Sequence, residues 1–243
     1  GEPYINKNLP QMIEYAQINN VYVSISTNGH FINAKNVDSI LANAPDKLIF
    51  SVDGLDEESY QNYRVGGTFK QADEGLRALV NLKKKLAKKK PFVEFQFIVM
   101  KHNEHQMKDV LEYGKDVGVE KVVFKTMQIS SYENAQKFLP SDKKYRRYSV
   151  ENGTYKIKNG IKNHCFALWR TSVITWDRRV VPCCFDKDAE FELGIVNGRS
   201  FRDVWISAEY TNFRGKVLGD RKSVSICTNC TEGLKVNIFE IEQ

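Results

Sequence analysis

Along the first 130 residues one pattern recurs: a short run of β-branched and aromatic residues, a polar break, then apolar residues spaced three and four apart. The runs are Val21–Thr27, closing on Asn28-Gly29; Lys47–Asp53, closing on Gly54; Phe92–Met100, closing near Asn103; and Lys121–Thr126, entered from Gly118. Each has the length and composition of a strand. Between them the apolar residues take a helical period: Leu9, Met12, Ile13 and Ala16, with Asn8 as cap and Pro10 near the first turn; Ile40 and Leu41; Leu76, Leu79, Val80, Leu82 and Leu86; Val110, Leu111, Tyr113 and Val117. Strand alternating with helix predicts a parallel α/β sheet, open or barrel-like. Ligands gather at the carboxyl ends of such strands. Here those ends read Ser26-Thr27-Asn28-Gly29, Ser51-Val52-Asp53-Gly54 and Lys101-His102-Asn103, three polar clusters on one rim. Asn-Gly and Asp-Gly are also ordinary turn formers, so turn chemistry alone explains part of this rim.

From residue 130 to about 163 the pattern dissolves into polar text, Ser130-Ser131-Tyr132, Pro140–Lys144 and Asn152-Gly153, which reads as a connecting segment. A different style follows. Thr171–Trp176 and Arg179–Pro182 form a hairpin-like pair joined through Asp177-Arg178, then come Phe191–Val196 and an amphipathic helix opened by Ser200. The expected organisation is a first domain over 1–130, a linker over 131–163 and a small domain over 164–243. A domain of that size often needs a staple.

Composition bounds the partners. At 42% hydrophobic residues and a mean hydropathy of −0.46 the chain is globular, and no apolar run approaches the length of a membrane helix. The start, Gly1-Glu2-Pro3-Tyr4, has neither a basic nor an apolar leader region, so the expectation is a cytoplasmic chain without a membrane partner. The net charge is +6, and much of the excess sits in Lys83–Lys90. A solvated helix end accounts for that run, and no nucleic-acid partner is expected.

The five cysteines all fall between residues 165 and 230, and nothing points to an oxidising compartment, so metal ligation is the leading reading. Cys227-x2-Cys230 presents two thiolates to one centre, and Cys165-x17-Cys183 supplies two more. Thiolate-only ligation suits zinc or an iron–sulfur cluster, and spacing alone does not choose. Neighbours on a strand face opposite ways, so Cys183 is expected to ligate and the adjacent Cys184 is not.

Taken in order, several of these residues resemble the landmarks of radical S-adenosylmethionine (SAM) enzymes. They are Gly1-Glu2-Pro3, Ser26-Thr27-Asn28-Gly29, Ser51-Val52-Asp53-Gly54, Tyr63-Arg64-Val65-Gly66-Gly67-Thr68-Phe69 and Met100-Lys101-His102-Asn103. The tail, with Cys183-Cys184-Phe185-Asp186, Leu193-Gly194-Ile195-Val196-Asn197 and Val204-Trp205, is similar to the SPASM/twitch auxiliary-cluster domain of the same superfamily. The resemblance implies a partial (β/α) barrel of radical SAM type, its first strands missing, followed by a small α+β domain. By the same resemblance Glu2 holds the methionyl amine of SAM, Ser51 and Asp53 lie near its ribose or carboxylate, and Arg64 pairs with the carboxylate. Cys165, Cys183, Cys227 and Cys230 are implied to bind one auxiliary [4Fe-4S] cluster, as in the single-cluster twitch form.

The radical-generating Cys-x3-Cys-x2-Cys loop does not occur in these residues. The implied explanation is a truncated chain whose second [4Fe-4S] cluster belongs to a missing N-terminal part, and which is inactive alone. The intact parent is then expected to be an oxidoreductase. It would oxidise or modify a sugar, cyclitol or peptide by 5′-deoxyadenosyl-radical hydrogen abstraction, with flavodoxin or ferredoxin as electron donor. A second departure is Asp177-Arg178 where relatives often carry Asp-Gly, which is expected to alter the turn type. The competing expectation is a non-enzymatic binding module stapled by a zinc ion on the four cysteines.

Overall fold

In the computed structural model, which describes residues 1–158, 160–232 and the backbone of 239–242, the alternating runs become a parallel sheet. Its strands are β1 (Ser24–Thr27), β2 (Lys47–Ser51), β3 (Phe92–Val99) and β4 (Lys121–Thr126), hydrogen-bonded in chain order. All three pairings are parallel, with Ile25 beside Leu48, Phe50 beside Phe95 and Phe97 beside Phe124. Five apolar side chains of β2 and β3, Leu48, Phe50, Val93, Phe95 and Phe97, are completely buried. Near-continuous apolar strands covered on both sides are what a parallel sheet requires.

The helices that cover it are α1 (Leu9–Ile18), α2 (Val37–Ala42), α3 (Glu57–Gln61), α4 (Phe69–Lys85), α5 (Met107–Val117) and α6 (Tyr132–Phe138). Thr68 caps α4 by accepting from the Gln71 N–H at 3.2 Å, and Leu76, Leu79 and Val80 supply its buried face. Asn8 occupies the cap position of α1, but its side chain makes no capping bond. The basic run at the end of α4 is less solvated than its composition suggests. Lys83 is buried against Glu120, Lys84 donates to the Val117 carbonyl, Lys88 donates to that of Leu41, and Lys90 pairs with Asp46.

The chain divides into two compact units, one made of Gly1–Arg146 with Asn237–Gln243 and the other of Arg147–Val236. This corrects the expected linker at 131–163. That stretch contains α6 and a hairpin of β5 (Tyr148–Glu151) and β6 (Thr154–Ile157), turning on Asn152 and Gly153 at φ 48° and 73°. Asn-Gly between alternating apolar and polar residues is a strong hairpin signal, and the surrounding lysines and arginines masked it. The second unit adds an antiparallel sheet of β7 (Val173–Ile174), β8 (Arg179–Val181) and β9 (Gly194–Ile195), and the helices α7 (Phe201–Trp205) and α8 (Ala208–Asp220). Leu168, Val180, Leu193, Val204, Phe213, Val217 and Val224 form its core, with Cys165 and Cys227 among them. Gly194, at φ 142°, lies where a Cβ would meet a Val204 methyl at 2.9 Å, so the second position of Leu193-Gly194-Ile195 admits no side chain without a shift.

The last strand, β10 (Phe239–Glu242), pairs antiparallel with β4 and belongs to the first unit's sheet. The expected domain 164–243 therefore does not hold together to its end. The part of it at 233–238 and 243, like Asn159 in the expected linker, lies outside the described residues. No described helix is long and apolar enough to cross a membrane.

Candidate functional site

The rim of the first unit is drawn together by side chains that reach from one strand end to the next. Glu2 bends back to the end of β1: its Oε1 accepts from Thr27 Oγ1 at 2.8 Å and the Tyr4 N–H at 3.2 Å, and its Oε2 accepts from the Asn28 N–H at 2.8 Å. A carboxylate offers about four acceptor positions, so Oε2 keeps one for a further donor. Thr27 and Asn28 close the following loop by accepting from the N–H groups of Gly29 and His30, each at 3.0 Å. Ser51 ends β2, half-buried.

Asp53 is the most enclosed of the four residues expected around SAM. It has no exposed surface, its Oδ1 accepts from the Ile98 N–H at 2.7 Å, and its Oδ2 takes both Arg64 Nε at 2.7 Å and Nη2 at 2.6 Å. Burial pushes the Asp53 carboxyl above the usual carboxylate range, and the Arg64 charge and the Ile98 N–H oppose it. Its backbone carbonyl accepts from Asn103 Nδ2 at 2.9 Å; Asn103 also donates to Ile98 O and accepts from the Met100 N–H. Both Asp53 oxygens are thus occupied, and the residue acts on its surroundings through Arg64. Gly54 follows because the start of α3 passes so close that any Cβ would strike the Tyr60 backbone.

Arg64 lines an open, polar cavity of about 420 Å³ with Asn28, His30, Tyr60, Tyr63 and the Gly66-Gly67 turn. His30 Nε2 and Tyr60 Oη lie 3.0 Å apart in its wall. Neither residue was singled out for this role in the sequence, and no spacing signal marks them.

In the second unit all five cysteines line one cavity of about 430 Å³, shared with Arg221, Phe166, Phe185, Phe213 and Ile226. Three separate segments bring them there. Cys165 opens a short turn running to Trp169, Cys183 and Cys184 follow β8, and Cys227 and Cys230 are linked by the Cys230 N–H bond to the Cys227 carbonyl at 3.1 Å. The Glu232 N–H donates to Cys230 Sγ at 3.3 Å. The β5–β6 hairpin braces this last loop through Tyr148 Oη to Asn229 Oδ1 at 2.8 Å and Arg147 Nη1 to Thr231 Oγ1 at 3.1 Å.

Cys183 and Cys184 lie beyond the strand in a turn, so strand alternation does not separate them, and both thiols line the cavity. They differ in depth: Cys184 is exposed, whereas burial pushes the half-buried Cys183 thiol up to about 12. Among the described residues no three His, Cys, Asp or Glu side chains group closely enough to hold a metal ion, although all five cysteines line the one cavity. Cysteines from three segments, with the buried Arg221 beside them, are a donor set that fits a multi-iron cluster.

The turn at Asp177-Arg178 departs from expectation. Arg178 takes φ 70°, the left-handed conformation a glycine would supply, its N–H bonds Thr175 O at 2.9 Å, and the Thr175 N–H bonds Arg179 O at 2.9 Å. The hairpin keeps its turn, and Arg178 bears the strain.

Comparison with known proteins agrees with both halves. The model of the radical SAM superfamily matches residues 1–114, and that of an iron-sulfur cluster-binding domain, SPASM, matches residues 165–231. A Pyrococcus furiosus protein named as a tungsten-containing aldehyde ferredoxin oxidoreductase cofactor-modifying protein is 24% identical over 95% of this chain and 71% of its own length. The crystal structure of BtrN in complex with AdoMet and 2-DOIA superposes with a TM-score of 0.53 at 18% identity, over 96% of this chain and 70% of BtrN. Streptococcus suis SuiB superposes with a TM-score of 0.63 when bound to S-adenosylmethionine and 0.60 when bound to precursor peptide SuiA, at 12% identity in both. The matches cover 98% and 88% of this chain but 60% and 54% of SuiB. At such identities the superpositions establish the fold.

Proposed function

Because the chain belongs to the radical SAM superfamily and carries a SPASM iron–sulfur region, we propose that it holds SAM on the rim of its first unit and one auxiliary [4Fe-4S] cluster on Cys165, Cys183, Cys227 and Cys230. The observation that carries this is the convergence of cysteines from three segments on one cavity beside a buried arginine. The reaction is the oxidation or other modification of a small molecule or peptide, a sugar, cyclitol or peptide being the favoured classes, with flavodoxin or ferredoxin as electron source. In the intact parent, SAM cleaved by an electron from a second [4Fe-4S] cluster outside these residues would supply the hydrogen-abstracting chemistry.

The chain's own residues bind and orient. Glu2, fixed by Thr27 and Asn28, offers its remaining acceptor position to an ammonium. Asp53 aims Arg64, whose outer edge faces the open cavity and suits a carboxylate. Ser51 stands at the adjoining strand end. The half-buried Cys183 is preferred to the exposed Cys184 as the fourth sulfur.

The test is the metal content of the anaerobically purified chain. About four iron with matching sulfide is expected, lost in Cys227→Ala and Cys230→Ala and kept in Cys184→Ala. One zinc and no iron would replace the cluster by a structural staple; equal loss in all three variants would overturn the choice of ligands.

A further inference from the structure

We infer that Arg221 is the counter-cation of the cysteine cavity, a positioning residue that sets the reduction potential of the cluster held there. This rests on the cluster reading above. Arg221 is 2% exposed and lines the same cavity as the five cysteines. Its Nη1 donates to His164 O at 2.9 Å, its Nη2 donates to Glu232 O at 3.1 Å, and its backbone N–H donates to Asn163 Oδ1 at 3.1 Å. Its Nε is buried without a partner. Glu232 lines the same cavity, but Arg221 meets it at the backbone carbonyl, and no carboxylate among the described residues forms an ion pair with Arg221. A buried cation compensated only by carbonyls is costly unless an anion joins it.

Arg214, also in the second unit, has aromatic faces that Arg221 lacks, although its Nη2 is likewise buried without a partner. Its guanidinium lies 4.4 Å from the Trp205 ring and 4.2 Å from the Tyr210 ring, and it donates to the carbonyls of Leu168 and Trp205. No described ring lies over Arg221. What faces it is sulfur: burial raises the thiols of Cys227 and Cys230, and the Arg221 charge draws them back down.

Four thiolates make a [4Fe-4S] cluster a net anion, and reduction adds one electron without a proton, so a fixed cation favours the reduced form and raises the potential. The Glu232 N–H on Cys230 Sγ acts in the same sense. Arg221 is therefore a fixed charge without an ion-pair partner among the described residues, and an anionic cluster would supply one.

The experiment is a dithionite titration of the anaerobically loaded full chain, followed by visible absorption and electron paramagnetic resonance, with iron and sulfide counted for each variant. Arg221→Met should hold the same iron but be harder to reduce, about tenfold in the reduced-to-oxidised ratio at a given potential, which is about 59 mV for one electron. Arg221→Lys, which keeps the charge, should restore the wild-type midpoint. An unmoved midpoint in a loaded Arg221→Met overturns the inference. If Arg221→Met takes up no iron, Arg221→Lys decides: loading at the wild-type midpoint supports the role of charge, and a folded but unloaded lysine variant refutes it. A wild-type chain without iron ends the cluster reading and this inference together; a loaded wild type with an unmoved Arg221→Met midpoint ends this inference alone.

Discussion

Breaking the Asp53–Arg64 pair tests whether the rim of the first unit is held by an enclosed ion pair. Asp53→Ala removes a carboxylate with no exposed surface, leaving the Ile98 N–H without its acceptor and Arg64 without its counter-ion. Removing one member of a buried pair costs about 3–5 kcal/mol, and an unpaired buried N–H about 1–3 kcal/mol. The two penalties overlap, and Arg64, 23% exposed at its side chain, recovers some water. The expected loss is therefore about 3–4 kcal/mol. Arg64→Met leaves the Asp53 carboxyl buried with one donor and should cost about 2–4 kcal/mol. The double variant should cost clearly less than the sum, with a coupling of about 2 kcal/mol. Tryptophan fluorescence will not read this, because Trp169, Trp176 and Trp205 all lie in the second unit. Urea unfolding followed by circular dichroism, together with hydrogen exchange at the Ile98 amide, reports on the first unit. Additivity within about 0.5 kcal/mol would show that the pair is not a unit and would remove the argument that Asp53 acts through Arg64.

Other expectations follow from single residues. Arg178→Gly relieves the left-handed strain at φ 70° and should stabilise the second unit by about 1 kcal/mol, less its contact with Asn197, read as a rise in the midpoint of the tryptophan-monitored transition. Asp56 caps α3 through the Ser59 N–H at 2.7 Å, and that bond holds its carboxyl below the usual range. Its stabilising effect is complete above the unfolded-state value of about 3.9 and is lost as pH falls through the lower folded value. Asp56→Asn should therefore be less stable than wild type by about 0.5 kcal/mol at pH 7, and the two acid-unfolding curves should converge at low pH. Stripping bound metal with a chelator should lower the tryptophan-monitored transition of the second unit and leave exchange at β3 unchanged; a shift in both would mean that the two units unfold together.

The sheet was legible because its strands are long apolar runs broken by glycine and asparagine, a local pattern that survives folding. That Cys165, Cys183, Cys227 and Cys230 come together was legible from spacing; that Cys184 lines the same cavity was not. What was not legible depends on which groups end up enclosed. That both Asp53 oxygens are taken by Ile98 and Arg64 follows from the β2–β3 register, which no short motif records. The β5–β6 hairpin carried its signal in Asn152-Gly153, but its exposed faces hold charged and polar residues that read as linker text. β10 was missed because its partner, β4, lies more than a hundred residues earlier. Arg221 had no signal at all: in the sequence it is one of 36 basic residues, and only burial distinguishes it.

That burial joins the stability of the second unit to its occupancy. Cys165 and Cys227 are core residues, packed with Leu168, Val180, Phe213 and Val224, and also lining residues of the cavity. Burial raises the thiols of Cys183, Cys227 and Cys230, which favours their neutral form, and the Glu232 side chain that lines the same cavity forms no ion pair with Arg221. Loading a cluster exchanges those neutral thiols for thiolates and gives the guanidinium its anion in the same event, so the free energy of loading becomes free energy of folding. A core this small, which includes Cys165 and Cys227 and has Cys230 and Arg221 buried beside it, is poorly made as a purely apolar core. Its composition makes sense when the cofactor is counted as part of what is buried.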